Sequence, residues 1–472
     1  MNSVPLVLLA AALANAAPTT LEKQQSSVSF ADVSKIGTQE HLFPYLAGSA
    51  PHFSYPLSYG VSKEVPEQCV LQQVQLFARH GERYPTNNTG AALTKLYNKL
   101  GNYSSDFSGA LKFLDEDYEF FLPDPHNFEE LTTWDNILDP INPYAGEWDA
   151  QKHGREFLSQ YGELLENKTS FPIFTSNSKR VHNTAKFFGD ALGDKYNISY
   201  QVIDEDPSMG ANSLTTIDSC STYNKTAKKD VYSKFTTQYL SDIASRLNSE
   251  NKGLNLSKSD ANSLFSWCAY EINVKGYSNM CDVFTEEELT YFAYNDDMTS
   301  YYYHGPGNPL GVTVGGVNFN ASVELLKQHE ELDNKVWLSF THDTNIVNIL
   351  GAIGIFDPGH PMPAEYIAVK DHIYHKSWMV PQGARVYTQL YQCSNETYVR
   401  YVVNDVVIPI EKCSSGPGLS CEMSKFIDYA ESRLNGTDYV SSCKINTTSN
   451  QTSLTFYWDY EQKQYNAPLG LF

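Results

Sequence analysis

Positive charge is scarce in this sequence: 34 Lys and Arg stand against 55 Asp and Glu, a formal net charge of −21. An acidic excess of that size speaks against nucleic acid or an anionic membrane surface as a partner, because both would be repelled. Charge of either sign is modest at 19% of residues, whereas 41% are hydrophobic and 13% aromatic. That balance excludes a disordered chain and supplies material for a packed core. Long apolar runs are missing beyond the start. The run over residues 4–14 is too short to span a bilayer. With Ala14, Ala16 and Ala17 behind it, it reads as a secretory signal covering residues 1–17, although no Lys or Arg precedes it. The cysteines contain no CxxC pair, which argues against a zinc ribbon or a thioredoxin-type site.

What is present agrees with export. The eight cysteines are Cys69, Cys220, Cys268, Cys281, Cys393, Cys413, Cys421 and Cys443, an even number that reads as four disulfides whose pairing the spacing leaves open. N-x-S/T sequons stand at Asn87, Asn102, Asn167, Asn197, Asn224, Asn255, Asn320, Asn395, Asn435, Asn446 and Asn450. Beside a signal segment, so many predict a heavily glycosylated surface.

Three stretches share one order of strand, polar cluster and helix. In the first, Val74 and Leu76 alternate with Gln73 and Gln75 over 70–77. A polar turn over 79–88 follows, and then Leu93, Leu96, Tyr97 and Leu100 recur at helical spacing. The second runs from a strand at 171–174 through 175–180 into a helix ending near Phe188. The third runs from 335–340 through Thr341-His342-Asp343-Thr344 into a helix over 345–350. The repeated order predicts an α/β sheet with its polar residues at the carboxyl ends of strands, where open α/β sheets bind ligands. Residues 206–315 show helical patterns and little strand, so we expect an α-helical insertion between two parts, 18–205 and 316–472, of an α/β domain. A meander is expected over 386–392, 398–403 and 406–410, turning at Asn395 and at Asn404-Asp405. Residues 18–65 carry no periodicity and are expected to wrap the surface.

The sharpest local signal is Arg79-His80-Gly81-Glu82-Arg83-Tyr84-Pro85. Guanidinium forks match phosphate oxygens and stay charged at any working pH. A neutral imidazole between two of them has a nucleophilic nitrogen beside whatever anion they hold. Gly81 is expected to let the backbone approach a ligand, and the following helix to add its own preference for anions. Thr341-His342-Asp343 lies at another strand end, where His342 can donate to a phosphoryl group and Asp343 can protonate a leaving oxygen. Arg180 closes the remaining unit as a third clamp. Asp204-Glu205-Asp206-Pro207-Ser208 looks like the loop of an aspartate nucleophile but reads as a strand-end turn. No cysteine is followed six residues later by arginine, which excludes a cysteine phosphatase.

The RHGxRxP sequence with a distant HD pair resembles the histidine acid phosphatase family, and within it the secreted yeast acid phosphatases. The resemblance covers nearly the whole chain after the signal, including 79–86, 174–180, 305–307, 337–344, 380–385 and 398–413. It implies a larger α/β sheet domain and a smaller, mainly α-helical domain with the active site between them. It implies His80 as nucleophile, Asp343 as proton donor, and Arg79, Arg83, Arg180 and His342 as phosphate ligands, with no cofactor and no metal. It further implies the pairings Cys69–Cys393, Cys220–Cys443, Cys268–Cys281 and Cys413–Cys421. Small phosphomonoesters are the expected substrates, an extracellular, cell-wall or periplasmic place the expected location, and a homo-oligomer the state hinted at. The alternatives are a phytase using the same machinery and a non-catalytic wall glycoprotein. Glu82 weighs against phytate, because a carboxylate near the scissile phosphate would repel the other phosphates of that substrate.

Overall fold

The computed structural model describes residues 33–133, 142–365, 372–448 and 451–470. The expected signal over 1–17 and the sequon at Asn450 lie outside them. Among the described residues eight strands form one mixed sheet: β1 (Cys69–Arg79), β2 (Ser170–Ser176), β3 (Asn197–Ile203), β4 (Val336–Thr341), β5 (Arg385–Cys393), β6 (Glu396–Val403), β7 (Val406–Ile408) and β8 (Cys421–Glu422). Their order is β3-β2-β4-β1-β5-β6-β7, with β8 beside β6. The β3-β2-β4-β1 half is parallel, whereas β5, β6 and β7 continue from β1 as an antiparallel meander. The meander turns where the backbone adopts positive φ, at Ser394 (56°) and at Asn404 and Asp405 (43° and 69°). Asn and Asp tolerate that conformation best among residues with a side chain.

The longer helices are α1 (Asn87–Gly101), α2 (Gly146–Tyr161), α3 (Lys179–Asp190), α4 (Gln238–Glu250), α5 (Lys258–Lys275), α6 (Glu286–Tyr303), α7 (Gly311–Lys327), α8 (Asp343–Ile353) and α9 (Met423–Leu434). Both faces of the parallel half are covered, as the buried β4 and the nearly all-buried β2 require. Val336, Leu338 and Phe340 of β4 pack with Phe157, Tyr161, Val181 and Phe188 of α2 and α3, while Trp337 joins the core on the other side. The alternating glutamines of β1 meet protein and not water: Gln73 and Gln75 donate to the Leu325 and Ser322 carbonyls of α7, each at 3.0 Å. The smaller α domain gathers α4, α5 and α6. Its centre, α5, is buried on nearly every side and includes Trp267. A Ser257–Asp260 capping box opens this helix, and Gly276 at φ 83° closes it. Helix α1 packs against α5 although it precedes 206–315 in sequence, and α7 begins at Gly311 and runs across position 315.

The disulfides join Cys69 to Cys393, Cys220 to Cys443, Cys268 to Cys281 and Cys413 to Cys421. The first links adjacent strands, because Cys69 and Cys393 face each other in the β1–β5 register. The ten described sequon asparagines are all exposed. No helix among the described residues is long and apolar enough to cross a membrane.

The expectation that the N-terminal stretch wraps the surface is wrong for residues 42–55. Short 3₁₀ turns there carry Phe43, Leu46, Ala50 and Tyr55 into the core, where none exceeds 4% exposure. Three residues per turn over one or two turns write neither a helical nor a strand period into the sequence.

Candidate active site

Strands β1 and β4 run side by side in parallel, with Arg79 paired to Thr341 in register. The next residue of each strand, His80 and His342, therefore leaves the sheet at the same edge. The two rings lie 5.9 Å apart between centroids. The His80 backbone is held from both sides: its N–H donates to the Thr341 carbonyl (3.2 Å), and its carbonyl accepts from Gly383 N–H (2.8 Å). Strand β2, the other neighbour of β4, leads into α3 with Arg180 as its second residue, and α8 begins at Asp343. Two helix N-termini thus start at this edge, adding partial positive charge to that of the arginines.

The His80 ring is buried, and its Nδ1 lies 2.9 Å from the Gly81 carbonyl. A carbonyl can only accept, so Nδ1 carries the proton and Nε2 keeps a free lone pair. Burial, and then the charges of Arg79, Arg180, Arg83 and His342, hold this imidazole well below the usual histidine range. It stays neutral, and so nucleophilic, in acid.

Arg79 donates through Nη1 to the Gly48 and Val380 carbonyls, both at 2.7 Å, and its Nη2 lies 3.6 Å from Asp343 Oδ2. Arg83 donates to the Tyr84 carbonyl at 2.8 Å and lies over the Tyr270 ring. Arg180 pairs with Glu129 at 2.8 Å. In all three the Nε–H is buried without an acceptor among the described residues. A buried donor left unpaired is costly. Three of them on cations around one neutral histidine form a set that a phosphate oxygen shell would complete.

The opposing charges are also placed. His342 Nε2 donates to Glu205 at 2.7 Å, which turns Nδ1 away from that carboxylate. Burial would raise the Glu205 carboxyl, but the bond from His342 and the charge of Arg180 bring it below its ordinary value. Asp343 is likewise raised by burial, yet Arg79, then Lys376 and His342, outweigh that and hold it well below the carboxylate range. Lys376 stands 3.9 Å from Asp343 and 3.4 Å from Asp296. Gly48 closes over the pair: a Cβ there would lie 2.9 Å from Lys376 Cε and 3.6 Å from Asp343 Oδ2.

All six expected side chains, Arg79, His80, Arg83, Arg180, His342 and Asp343, are therefore found at one sheet edge. Glu205, Glu129, Lys376 and Gly48 were not foreseen. Glu205 sits in the acidic loop read as a turn, and Asp206 beside it does serve the turn, accepting from Ser208 N–H at 2.8 Å. Three expectations need correction. Gly81 makes room for protein, since a Cβ there would lie 2.9 Å from the Gly146 carbonyl. Helix α1 starts seven residues after His80, and its first turn is capped by Thr86, with Asn87 N–H directed to Glu129. Glu82 faces away from the phosphate ligands. Its carboxyl accepts from His52 N–H at 2.7 Å and lines a separate cavity of about 430 Å³ with His52, Asp149 and Arg385. Burial, and then Asp149, raise it well above the usual range, so it is also uncharged in acid. The repulsion argument against phytate loses its basis.

A buried neutral histidine among arginines at the carboxyl edge of a parallel sheet defines a phosphoryl-binding enzyme class. The sequence matches the model of the histidine phosphatase superfamily (branch 2) over residues 70–404, and the chain belongs to that superfamily. A constitutive acid phosphatase of Saccharomyces cerevisiae is 53% identical over 468 residues, 99% of each chain. A phytase of Candida albicans is 44% identical over 438 residues, 92% of this chain and 93% of its own. The crystal structure of the phytase from D. castellii superposes with a TM-score of 0.87 at 44% identity, covering 91% of this chain and 93% of that one. Within the superfamily the chain belongs to the acid phosphatase and phytase group.

Proposed function

We propose that this protein is a secreted acid phosphatase that hydrolyses phosphate monoesters through a phosphohistidine at His80. The observation that carries this is the neutral His80 ring, with Nε2 free, among three arginines whose buried Nε–H groups have no acceptor. The guanidiniums and the His342 ring, oriented by Glu205, receive the phosphoryl oxygens. The His80 Nε2 lone pair forms the new bond to phosphorus as the ester P–O bond breaks in line. Asp343 gives its proton to the departing oxygen. Water then attacks phosphorus, Asp343 takes the water's proton, the P–N bond breaks, and phosphate leaves with His80 neutral again. Positioning and charge neutralisation supply most of the acceleration.

Asp343 is ionised before substrate arrives, so the proton must come with the ester. Below its second pKa of about 6, a phosphate monoester is largely a monoanion. Its negative charge offsets Arg79, the cation that most depresses Asp343, so a proton carried in by substrate can reside on the carboxyl. This accounts for acid operation without an acid-stable proton on the free enzyme.

Export is supported by the signal-like start, the four disulfides and the exposed sequons. The wall-scaffold alternative fits poorly, because Arg79, His80, Arg83, Arg180, His342 and Asp343 all meet at one sheet edge. Phytase remains a second reading, favoured by the 44% identity to two phytases and by the orientation of Glu82. The 53% identity to an acid phosphatase favours the broader monoesterase. Comparing kcat/KM for phytate and a small ester at several acidic pH values separates the two. The covalent step is tested by quenching with labelled substrate, which is expected to leave an acid-labile, base-stable adduct on the His80 peptide. Label on an aspartyl peptide would overturn it.

A further inference from the structure

Outside the phosphate pocket, three buried side chains with metal-ligating atoms meet at one point. Asp297 comes from α6, and His372 and His375 from the segment leading to Lys376. His372 Nε2 and His375 Nδ1 each lie 3.1 Å from the same atom, Asp297 Oδ2, and the three ligand atoms fall within 4.8 Å of one another. Their side chains are 3%, 4% and 9% exposed for Asp297, His372 and His375. The other carboxylate oxygen, Oδ1, accepts the Lys376 backbone N–H at 2.7 Å, which fixes the orientation of the group.

The charge balance of the cluster is unusual. Among the described residues no lysine or arginine nitrogen lies within ion-pair distance of Asp297. The ammonium of Lys376 goes to Asp296 and Asp343 instead. A buried carboxylate oxygen facing two imidazoles offers a place for a cation. A metal ion between all three groups would supply it.

We propose that Asp297, His372 and His375 form a binding site for one divalent transition-metal ion of the zinc type. Two imidazoles and one carboxylate are a donor set that suits Zn²⁺. With bonds of about 2.0–2.2 Å, neighbouring ligands of a tetrahedral zinc stand roughly 3.3 Å apart, close to the two separations found here. The Lys376 N–H on Oδ1 is the kind of outer hydrogen bond that orients a ligating carboxylate. The site takes no part in phosphoryl transfer. It clips α6 to the segment carrying Lys376, and so sets the lysine that stands beside Asp343. The His-x-x-His spacing of 372–375 is its only local trace in the sequence, and its third member lies 75 residues away from His372.

The test uses the full-length protein, dialysed against chelator and titrated calorimetrically with Zn²⁺ at neutral pH. One ion per chain is expected, with Co²⁺ giving the visible absorption of a four-coordinate site. His372→Ala and His375→Ala are each expected to weaken uptake by at least tenfold, since even outer-shell changes cost about that much. Diffraction from zinc-loaded wild type at the zinc edge is expected to show an anomalous peak among the three ligand atoms, a result that does not depend on the variants folding. Wild type that takes up no zinc would overturn the proposal. An anomalous peak elsewhere, or wild-type uptake by both variants, would overturn it equally.

Discussion

The two halves of the sheet treat their buried arginines in opposite ways. In the antiparallel half Arg385 spends its donors on Asp149 (2.7 Å), Glu156 (2.8 Å) and the Gly383 carbonyl, and Arg400 is surrounded by Gln389 and four backbone carbonyls. In the parallel half Arg79, and with it Arg83 and Arg180 from the adjoining loop and helix, each keep a buried Nε–H without an acceptor. A satisfied guanidinium holds the fold together. One with an unfilled donor carries a cost that a ligand oxygen or an ordered water can remove. The contrast sets Arg79, Arg83 and Arg180, the proposed phosphate ligands, apart from Arg385 and Arg400.

The largest effect that would sharpen this division is expected at the nucleophile. His80→Ala should cut kcat by roughly 10⁴–10⁶-fold, the scale seen when a covalent catalyst loses its attacking group. Its denaturation midpoint should stay close to wild type, and an activity loss that merely tracked unfolding would place His80 with the structural residues. Next comes Asp343→Asn, which should slow alkyl phosphates by about 10²–10⁴-fold and p-nitrophenyl phosphate far less, because nitrophenolate leaves without a proton. Equal losses on both substrates would remove Asp343 from the donor role.

On the other side of the division, Arg385→Met should destabilise the protein by about 3–5 kcal/mol, because buried Asp149 is left without its partner. Urea titration measures this, and the folded fraction should retain its KM. A large change in KM with unchanged stability would break the comparison.

The smallest effect concerns pH. The folded-state pKa of Glu82 is raised by burial and by Asp149. Its stabilising contribution is therefore fully present below the unfolded carboxyl pKa near 4.3, and is lost as pH rises from there toward the folded value. Glu82→Gln should flatten that decline in melting temperature between acid and neutral pH. An unchanged slope would assign the decline to another group.

Legibility from sequence followed the spacing of the parts. Arg79, His80 and Arg83 fall within five residues, so one strand end brings them together and their chemistry can be read directly. Arg180, His342 and Asp343 were readable only through the repeated strand–cluster–helix order and the family resemblance, since alone each is an ordinary helix-start residue. Glu205 escaped because its meaning depends on His342, 137 positions away. Residues 42–55 escaped because single 3₁₀ turns leave no period, although they supply Gly48, whose carbonyl holds Arg79. Glu82 was misread for the opposite reason: adjacency to His80 suggested proximity, but successive residues can face different cavities.

By itself the sequence determined the α/β order, the histidine and its flanking cations, the even cysteine count and the sequons, because these are properties of residue type and short-range spacing. The tertiary structure decided which arginines keep unfilled donors, which nitrogen of His80 is free, where Glu82 points and which cations depress Asp343. Those outcomes rest on hydrogen-bond partners and burial set by segments tens to hundreds of residues apart, and such distances close only when the sheet and the helical domain have packed.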